Sequence, residues 1–256
     1  MIPERPKFAN AWISGASSGL GRAIAIELAR RGSFVHLFAR GVDGLEETLR
    51  QVEAAGSSGL IHTGDVTDHG RLEESLRLSD EHSMDGLDLV IAGAGVSEAG
   101  LPPEMPQHEV SARIFDVNLT AAARAVDIGI NLMKRRGRGT VSAITSLAGL
   151  RAIGAAPAYS ASKVALVAYL RARQSSALDS GLRLVDIRPG FVRTPMTDRN
   201  EFHMPFLLEP EDAARRSVRG LERGSPAVSY PRRLAWPMAL CAKAVPEFVW
   251  RRVTRK

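Results

Sequence analysis

Tyr159 and Lys163 stand four residues apart in the run Tyr159-Ser160-Ala161-Ser162-Lys163. On a helix, positions i and i+4 share a face, so this spacing brings an ammonium beside a phenol. A neighbouring cation favours the ionised phenol, and a phenol tuned in that way gives and takes a proton near neutral pH. Ser146 lies thirteen residues upstream, and a glycine-rich turn, Gly15-Ala16-Ser17-Ser18-Gly19-Leu20-Gly21, stands near the N-terminus. Tyr-x-x-x-Lys by itself is a weak signal in a chain of 256 residues. Its conjunction with the serine and the glycine turn is strong.

For these side chains to act together, the chain must supply a scaffold. Residues 9–14 form a short apolar run leading into the glycines, and residues 20–31 carry helical periodicity ending at Gly32. Residues 34–38 read as a second strand and 45–54 as a helix closed by Gly56. Further apolar runs at 60–63, 87–92, 140–144 and 182–187 are each separated by enough chain for a helix, and 112–133 and 157–178 read as long helices. Strands alternating with helices imply a doubly wound parallel sheet, helices on both faces, in one α/β domain. Ligands of such sheets bind outside the carboxyl ends of the strands, near the topological switch point.

In order along the chain come the glycine turn, Asp65-Val66, Ala92-Gly93-Ala94-Gly95, Asn118, Ser146, Tyr159, Lys163, and Pro189-Gly190 followed by Val192 and Thr194. With these motifs the chain, from about residue 9 to about residue 222, resembles the classical short-chain dehydrogenase/reductase family. The resemblance implies a Rossmann-type fold and a nicotinamide-dependent oxidoreductase. Ala92-Gly93 departs from the family pattern, in which Asn-Asn or Asn-Ala is common. Gly15, Gly19 and Gly21 match the family's Gly-x-x-x-Gly-x-Gly turn, in which absent side chains and a helix N-terminus admit a pyrophosphate; Ser17, Ser18 and Leu20 belong to the same cofactor contact. By the same resemblance Asp65 and Val66 flank the adenine, Ala92, Gly93 and Ala94 follow along the dinucleotide with Pro189 and Gly190, and Val192 and Thr194 meet the carboxamide and a phosphate. The second strand ends Leu37-Phe38-Ala39-Arg40 with no acid until Asp43. NAD binders offer an acid there and a 2′-phosphate calls for an arginine, so Arg40 points to NADP over NAD.

The chemistry implied is reversible hydride transfer between nicotinamide and a carbinol or carbonyl carbon. Ser146 and Tyr159 would serve the substrate oxygen, which gains charge as hydride arrives. Lys163 would hold the nicotinamide ribose and lower the phenol pKa, and Asn118 matches the family asparagine that holds a water between Lys163 and solvent. Each residue also has a reading without chemistry: Ser146 as a cap for the turn after the fifth strand, Asn118 as a backbone hydrogen-bonder, Tyr159 and Lys163 as an exposed pair. A dinucleotide-binding protein that senses redox state or directs assembly, without turnover, is therefore the second function class.

The segment 195–209 is expected to close over the site; its Met196, Phe202, Met204, Phe206, Leu207 and Leu208, with Leu147, Leu150 and Ile153, suggest a lipophilic substrate. The long helices at 112–133 and 157–178 correspond to those that pair in similar proteins, so a homodimer or homotetramer is expected. One cysteine, Cys241, suits a reducing cytoplasm. The first ten residues carry Glu4, Arg5 and Lys7 without an apolar run, unlike a signal peptide. His36, His62, His69, His82, His108 and His203 have no metal-ligand spacing, so no metal site is expected.

Charge is unevenly placed. Residues 214–256 hold eleven Lys/Arg and two acids, a net +9, against −3 for the rest. No nucleic-acid motif accompanies this excess and aromatics are sparse. In the tail, 230–256 beyond a core domain of 1–229, apolar and aromatic residues alternate with arginines and lysines, while Pro237 and Pro246 are expected to divide it into short pieces. Such a segment either packs on a neighbouring subunit or the substrate pocket, or lies at the periphery of an anionic membrane.

Overall fold

A computed structural model describes residues 7–200 and 203–253. Of the residues singled out above, Glu4, Arg5 and Phe202 lie outside them, as does the end of the tail, 254–256. Seven parallel strands form one sheet in the order β3-β2-β1-β4-β5-β6-β7: β1 (Asn10–Ser14), β2 (Phe34–Ala39), β3 (Gly59–Thr63), β4 (Leu89–Ala92), β5 (Thr140–Ile144), β6 (Arg183–Pro189) and β7 (Ala227–Tyr230). The order reverses between β1 and β4. Crossovers therefore leave on opposite faces there, and a crevice opens at the carboxyl ends of those two strands.

The central strands are dominated by buried apolar residues because both faces are covered. Ile13, Leu37, Ile91 and Ile187 pack beneath a layer of α1 (Gly19–Ala29), α2 (Val42–Ala54) and α7 (Pro210–Glu222). Alternate residues, Trp12, Val90, Val141 and Leu184, face the opposite layer of α3 (His69–Glu81), α5 (Ala122–Lys134) and α6 (Pro157–Asp179). This two-sided burial, at about 1.5–3 kcal/mol per large side chain, makes the strand ends stable posts for a site. The doubly wound sheet agrees with the sequence reading.

Three local features differ from that reading. The helix expected at 112–133 starts earlier, as α4 (Gln107–Phe115), and passes through a π-helical turn, Asp116–Ala121, before α5. Such wide turns frequently mark functional sites, and this one carries Asn118. The seventh strand was not expected; it pairs Tyr230 with Pro189, and Tyr230 is buried. Finally, Pro237 does not divide the tail: α8 (Arg232–Ala244) runs through it, and only Pro246 separates α8 from α9 (Glu247–Val253). A proline removes one helical hydrogen bond, and packing of the buried α8 face on β7 and Gly190 outweighs that loss.

Candidate active site

The crevice is a cavity of about 690 Å³ bounded on one side by the glycine turn. Its wall is backbone against backbone. A Cβ on Gly15, which has φ +71°, would lie 2.9 Å from Ala94 Cα, and one on Gly21 would lie 2.3 Å from the Gly15 carbonyl oxygen. Ser14 Oγ accepts hydrogen bonds from the backbone N–H groups of Gly93 and Ala94 at 3.0 and 3.2 Å, tying the ends of β1 and β4 together. A Cβ on Gly93 would meet the Ser14 carbonyl oxygen at 2.6 Å. At position 93 the departure from the family pattern thus fits the packing, which leaves no room for an asparagine there.

Ser18 precedes α1 and makes no side-chain cap, so the first-turn N–H groups of α1 face the turn without a side-chain acceptor. Four N–H groups at a helix start lack intrahelical partners and favour an anion. The stripped glycine cradle and these donors fit a dinucleotide diphosphate. Behind the turn, Arg22 clasps it from outside, donating to Thr48 Oγ1 at 2.9 Å and to the carbonyls of Ser17 and Gly44.

Around the cavity lie Gly15, Ser17, Ser18, Gly19, Leu20, Gly21, Arg40, Asp65, Val66, Gly93 and Ala94, then Tyr159, Lys163, Pro189, Gly190, Val192 and Thr194. Ala92 is the exception among the expected cofactor residues. As the last residue of β4 it turns into the core beneath Val117 and is 2% exposed, so Gly93 begins the wall. Arg40 sits at the mouth, 64% exposed at its side chain and 3.7 Å from the Asp65 carboxylate. Asp65 itself is committed: it accepts from the Thr67 N–H at 3.0 Å, the Thr67 hydroxyl at 2.9 Å and Arg113 at 2.7 Å. Burial works against its charge, but these donors outweigh burial and hold its pKa below the ordinary value.

α6 presents Tyr159 and Lys163 to the cavity. Its first residue is Pro157, preset for a helix start. Tyr159 is half-buried and Lys163 is 4% exposed, which excludes an exposed pair. Lys163 Nζ donates to the Ile144 carbonyl at 2.8 Å and lies 5.7 Å from the Tyr159 ring centroid. The ammonium is therefore aimed at the end of β5 rather than at the phenol oxygen. Burial pulls Lys163 down to about 8, with the buried Asp186 acting in the opposite direction.

The Tyr159 phenol departs from the expected direction. Its pKa is raised, first by burial, which a hydrogen bond from Ser146 opposes and the Glu98 charge reinforces. Glu98 was not anticipated. Its Oε1 accepts the Tyr159 backbone N–H at 3.0 Å, one of the orphan donors of the α6 N-terminus, and its Oε2 is buried without a protein partner. Nothing in the sequence signals this, because Glu98 is 61 residues from Tyr159 and meets it only through the loop after β4.

Ser146 and Asn118 both make the contacts expected of their readings without chemistry. Ser146 Oγ accepts from the Ala148 N–H at 3.1 Å, capping the turn after β5, while the same hydroxyl reaches Tyr159. Asn118 is fully buried. Its amide brackets Val96, accepting from the N–H and donating to the carbonyl, both at 2.8 Å, and donates to Ser162 Oγ at 3.2 Å. It pins the loop after β4 to α6. A Cβ on Gly95 would lie 3.4 Å from Asn118 Oδ1 and 3.7 Å from Lys163 Nζ, so Gly95 keeps open the space these groups share.

The expected cover begins at Pro195, which lines the cavity together with Met196 and Thr197. Its base is fastened by a bridge between Val192 and Leu208 and by the Arg193–Glu209 ion pair at 3.0 Å. Phe206 is 51% exposed and Leu208 packs on the core. Leu147 is buried beneath Gly190. Among the described residues there is no cluster of His, Cys, Asp or Glu able to hold a metal.

Comparison with known proteins agrees with this architecture. Residues 9–204 match the model of the short chain dehydrogenase family. An uncharacterized oxidoreductase of Myxococcus xanthus is 37% identical over 93% of this chain and 93% of its own. The crystal structure of an alcohol dehydrogenase from Thermococcus sibiricus, complexed with 5-hydroxy-NADP, is 30% identical, with TM-score 0.74 over 86% of this chain and 94% of that one. A short chain dehydrogenase from Mycobacterium paratuberculosis bound to NAD is 26% identical, with TM-score 0.73 over 86% and 94%. The glycine cradle, the Ser146–Tyr159–Lys163 grouping and these likenesses lead to one identification: the chain belongs to the short-chain dehydrogenase family and is an NAD(P)-dependent oxidoreductase acting on CH–OH/C=O groups.

Proposed function

We propose that this enzyme is an NADP-dependent carbonyl reductase or alcohol dehydrogenase of a lipophilic substrate. The observation that carries the reading is that Lys163 and Tyr159, whose phenol Ser146 hydrogen-bonds, lie at a cavity whose opposite wall is the glycine cradle and whose mouth bears Arg40. Gly15, Gly19, Gly21 and the α1 N-terminus would hold the diphosphate, Arg40 a 2′-phosphate, Lys163 the ribose, and Val192 and Thr194 the carboxamide end. Bound there, the dinucleotide supplies or accepts the hydride. In reduction, Tyr159 delivers its phenolic proton to the substrate oxygen while Ser146 donates a hydrogen bond to it, and the phenol regains a proton from solvent. Burial and the Glu98 charge raise the Tyr159 pKa, so the phenol carries a proton to donate at neutral pH.

Apolar walls dominate small-molecule pockets. Met196 and Val192, which line the cavity, supply such walls. Pairing of two copies through the long helices at 112–133 and 157–178 into a dimer or tetramer completes the reading, and light scattering at micromolar concentration tests it.

The deciding experiment follows the reduced nicotinamide absorbance against a panel of apolar ketones and alcohols. Turnover with NADPH is expected, and Tyr159→Phe is expected to reduce it ~100-fold or more while cofactor still binds. Retention of most of the parent rate by Tyr159→Phe would overturn the assignment. Silence of the folded, cofactor-binding parent across the panel would favour the sensing or assembly role.

A further inference from the structure

The strongest feature outside the cavity is the outer face of α8 and α9. Trp236 is 79% exposed, Leu240 66% and Phe248 76%, with Val249 at 37%. Trp236 and Leu240, at i and i+4, share one face of α8; Arg232 and Arg233, one turn earlier, are exposed, and so is Arg252 on α9. The other side of α8 is anchored: Ala235 is buried and Leu234 reaches Gly190. The helix is thus inverted relative to an ordinary surface helix, since large apolar groups and arginines together face outward.

We propose that this face is a docking surface for an anionic lipid bilayer, lying in the interface rather than spanning it. Among the described residues no helix is long and apolar enough to cross a membrane. Indole and phenyl groups flanked by guanidinium groups match an interface where apolar burial and anionic headgroups lie within a few ångströms. Arg232, Arg233 and Arg252 make no ion pair with any carboxylate among the described residues, so their charge is available to headgroups. A second copy fits less well. Under two-fold symmetry the patch would face itself and bring its arginines against the same arginines.

The face is coupled to the site. Arg151 donates to the carbonyls of Cys241 and Val245 at 3.2 and 2.6 Å and lies 4.9 Å over the Trp250 ring. Trp250 Nε1 donates to the Ala152 carbonyl at 2.6 Å. These contacts fasten α8 and α9 to the segment that follows Ser146, so docking brings the substrate side of the cavity to the bilayer. This role rests on the lipophilic-substrate reading, whereas the docking itself does not.

The test is flotation of the full chain, with NADPH present, on vesicles of phosphatidylcholine alone or mixed with phosphatidylglycerol. Co-flotation with the mixed vesicles, weakened by salt, is expected. The variant Trp236→Ser/Leu240→Ser/Phe248→Ser alters only exposed side chains and should retain NADPH binding while vesicle binding falls ~10-fold or more. Arg232→Gln/Arg233→Gln should remove much of the salt-sensitive part. Failure of the folded parent to bind either vesicle, or undiminished binding by the triple variant, overturns the proposal. A fall in lipid-free mass on the triple substitution would instead identify the face as a contact between copies. If flotation succeeds but the ketone panel is silent, docking stands and the substrate reading falls.

Discussion

On one side of the cavity, the wall of β1, α1 and the end of β4 is made of main chain at contact distance, with glycines at 15, 21 and 93. On the other, Thr145, Val192, Thr194, Pro195, Met196 and Thr197 form a wall of side chains whose base is held by a bridge and an ion pair. The first wall presents donors at fixed positions to a ligand portion that is the same in every turnover. In the proposed function the second, beyond Val192 and Thr194 at the carboxamide end, would present replaceable apolar surface such as Met196 to the variable ligand. Substitutions should therefore be nearly all-or-none on the first wall and graded on the second.

The largest effect is expected at the tightest contact. Gly21→Ala places a methyl group 2.3 Å from the Gly15 oxygen, so dinucleotide affinity should fall ~100-fold or more, with a stability loss of roughly 1–3 kcal/mol. Calorimetric titration and chemical denaturation measure both. A near-normal affinity would break the comparison, because it would mean the cradle relaxes.

Arg40 provides a smaller and more selective test at the mouth of the same wall. A charge-assisted contact to a 2′-phosphate is stronger than a neutral one, so Arg40→Ala should weaken NADP(H) ~10-fold, about 1.4 kcal/mol, and leave NAD(H) unchanged. Equal affinities of the parent for both cofactors at fixed salt would remove the NADP assignment. On the second wall, Met196→Ala should raise the substrate KM only several-fold, the order expected for losing part of one apolar contact, with cofactor affinity and unfolding midpoint close to the parent. A loss of cofactor affinity as large as that of Gly21→Ala would show that the two walls are not distinct.

The subtlest effect lies where the walls meet, at Tyr159. Its pKa is raised by burial and by the Glu98 charge, so the proton-donating form persists as pH rises and the phenolate needed for oxidation appears only at higher pH. Glu98→Gln keeps an acceptor for the Tyr159 N–H but removes the like charge. The oxidative limb of the kcat/KM profile should then move to lower pH, and the reductive limb should fall earlier. Profiles that superimpose with the parent would assign Glu98 a helix-capping role alone.

Legibility in the sequence follows locality. The strands at 10–14, 34–39, 89–92 and 140–144 were readable because burial on both faces makes them continuous apolar runs. β7 escaped because Ala227-Val228-Ser229-Tyr230 is short and half-buried at the sheet edge. The π turn at 116–121 escaped because one shifted hydrogen-bond register leaves the hydrophobic pattern of a long helix intact. Pro237 misled for the opposite reason. A local breaker was overruled by packing of the buried α8 face.

The sequence by itself determined the residue types and spacings that chemistry requires: the glycine turn, Ser146, Tyr159 and Lys163 on one helix face, and the alternation that builds a parallel sheet. These depend on neighbours within a few turns. Only the tertiary structure decided the electrostatics. Lys163 hydrogen-bonds Ile144 rather than the phenol oxygen, Glu98 crosses from the β4 loop to raise the phenol pKa, and Asn118 closes on Val96. Burial and charge are sums over everything brought near by the fold, and no spacing along the chain encodes that sum.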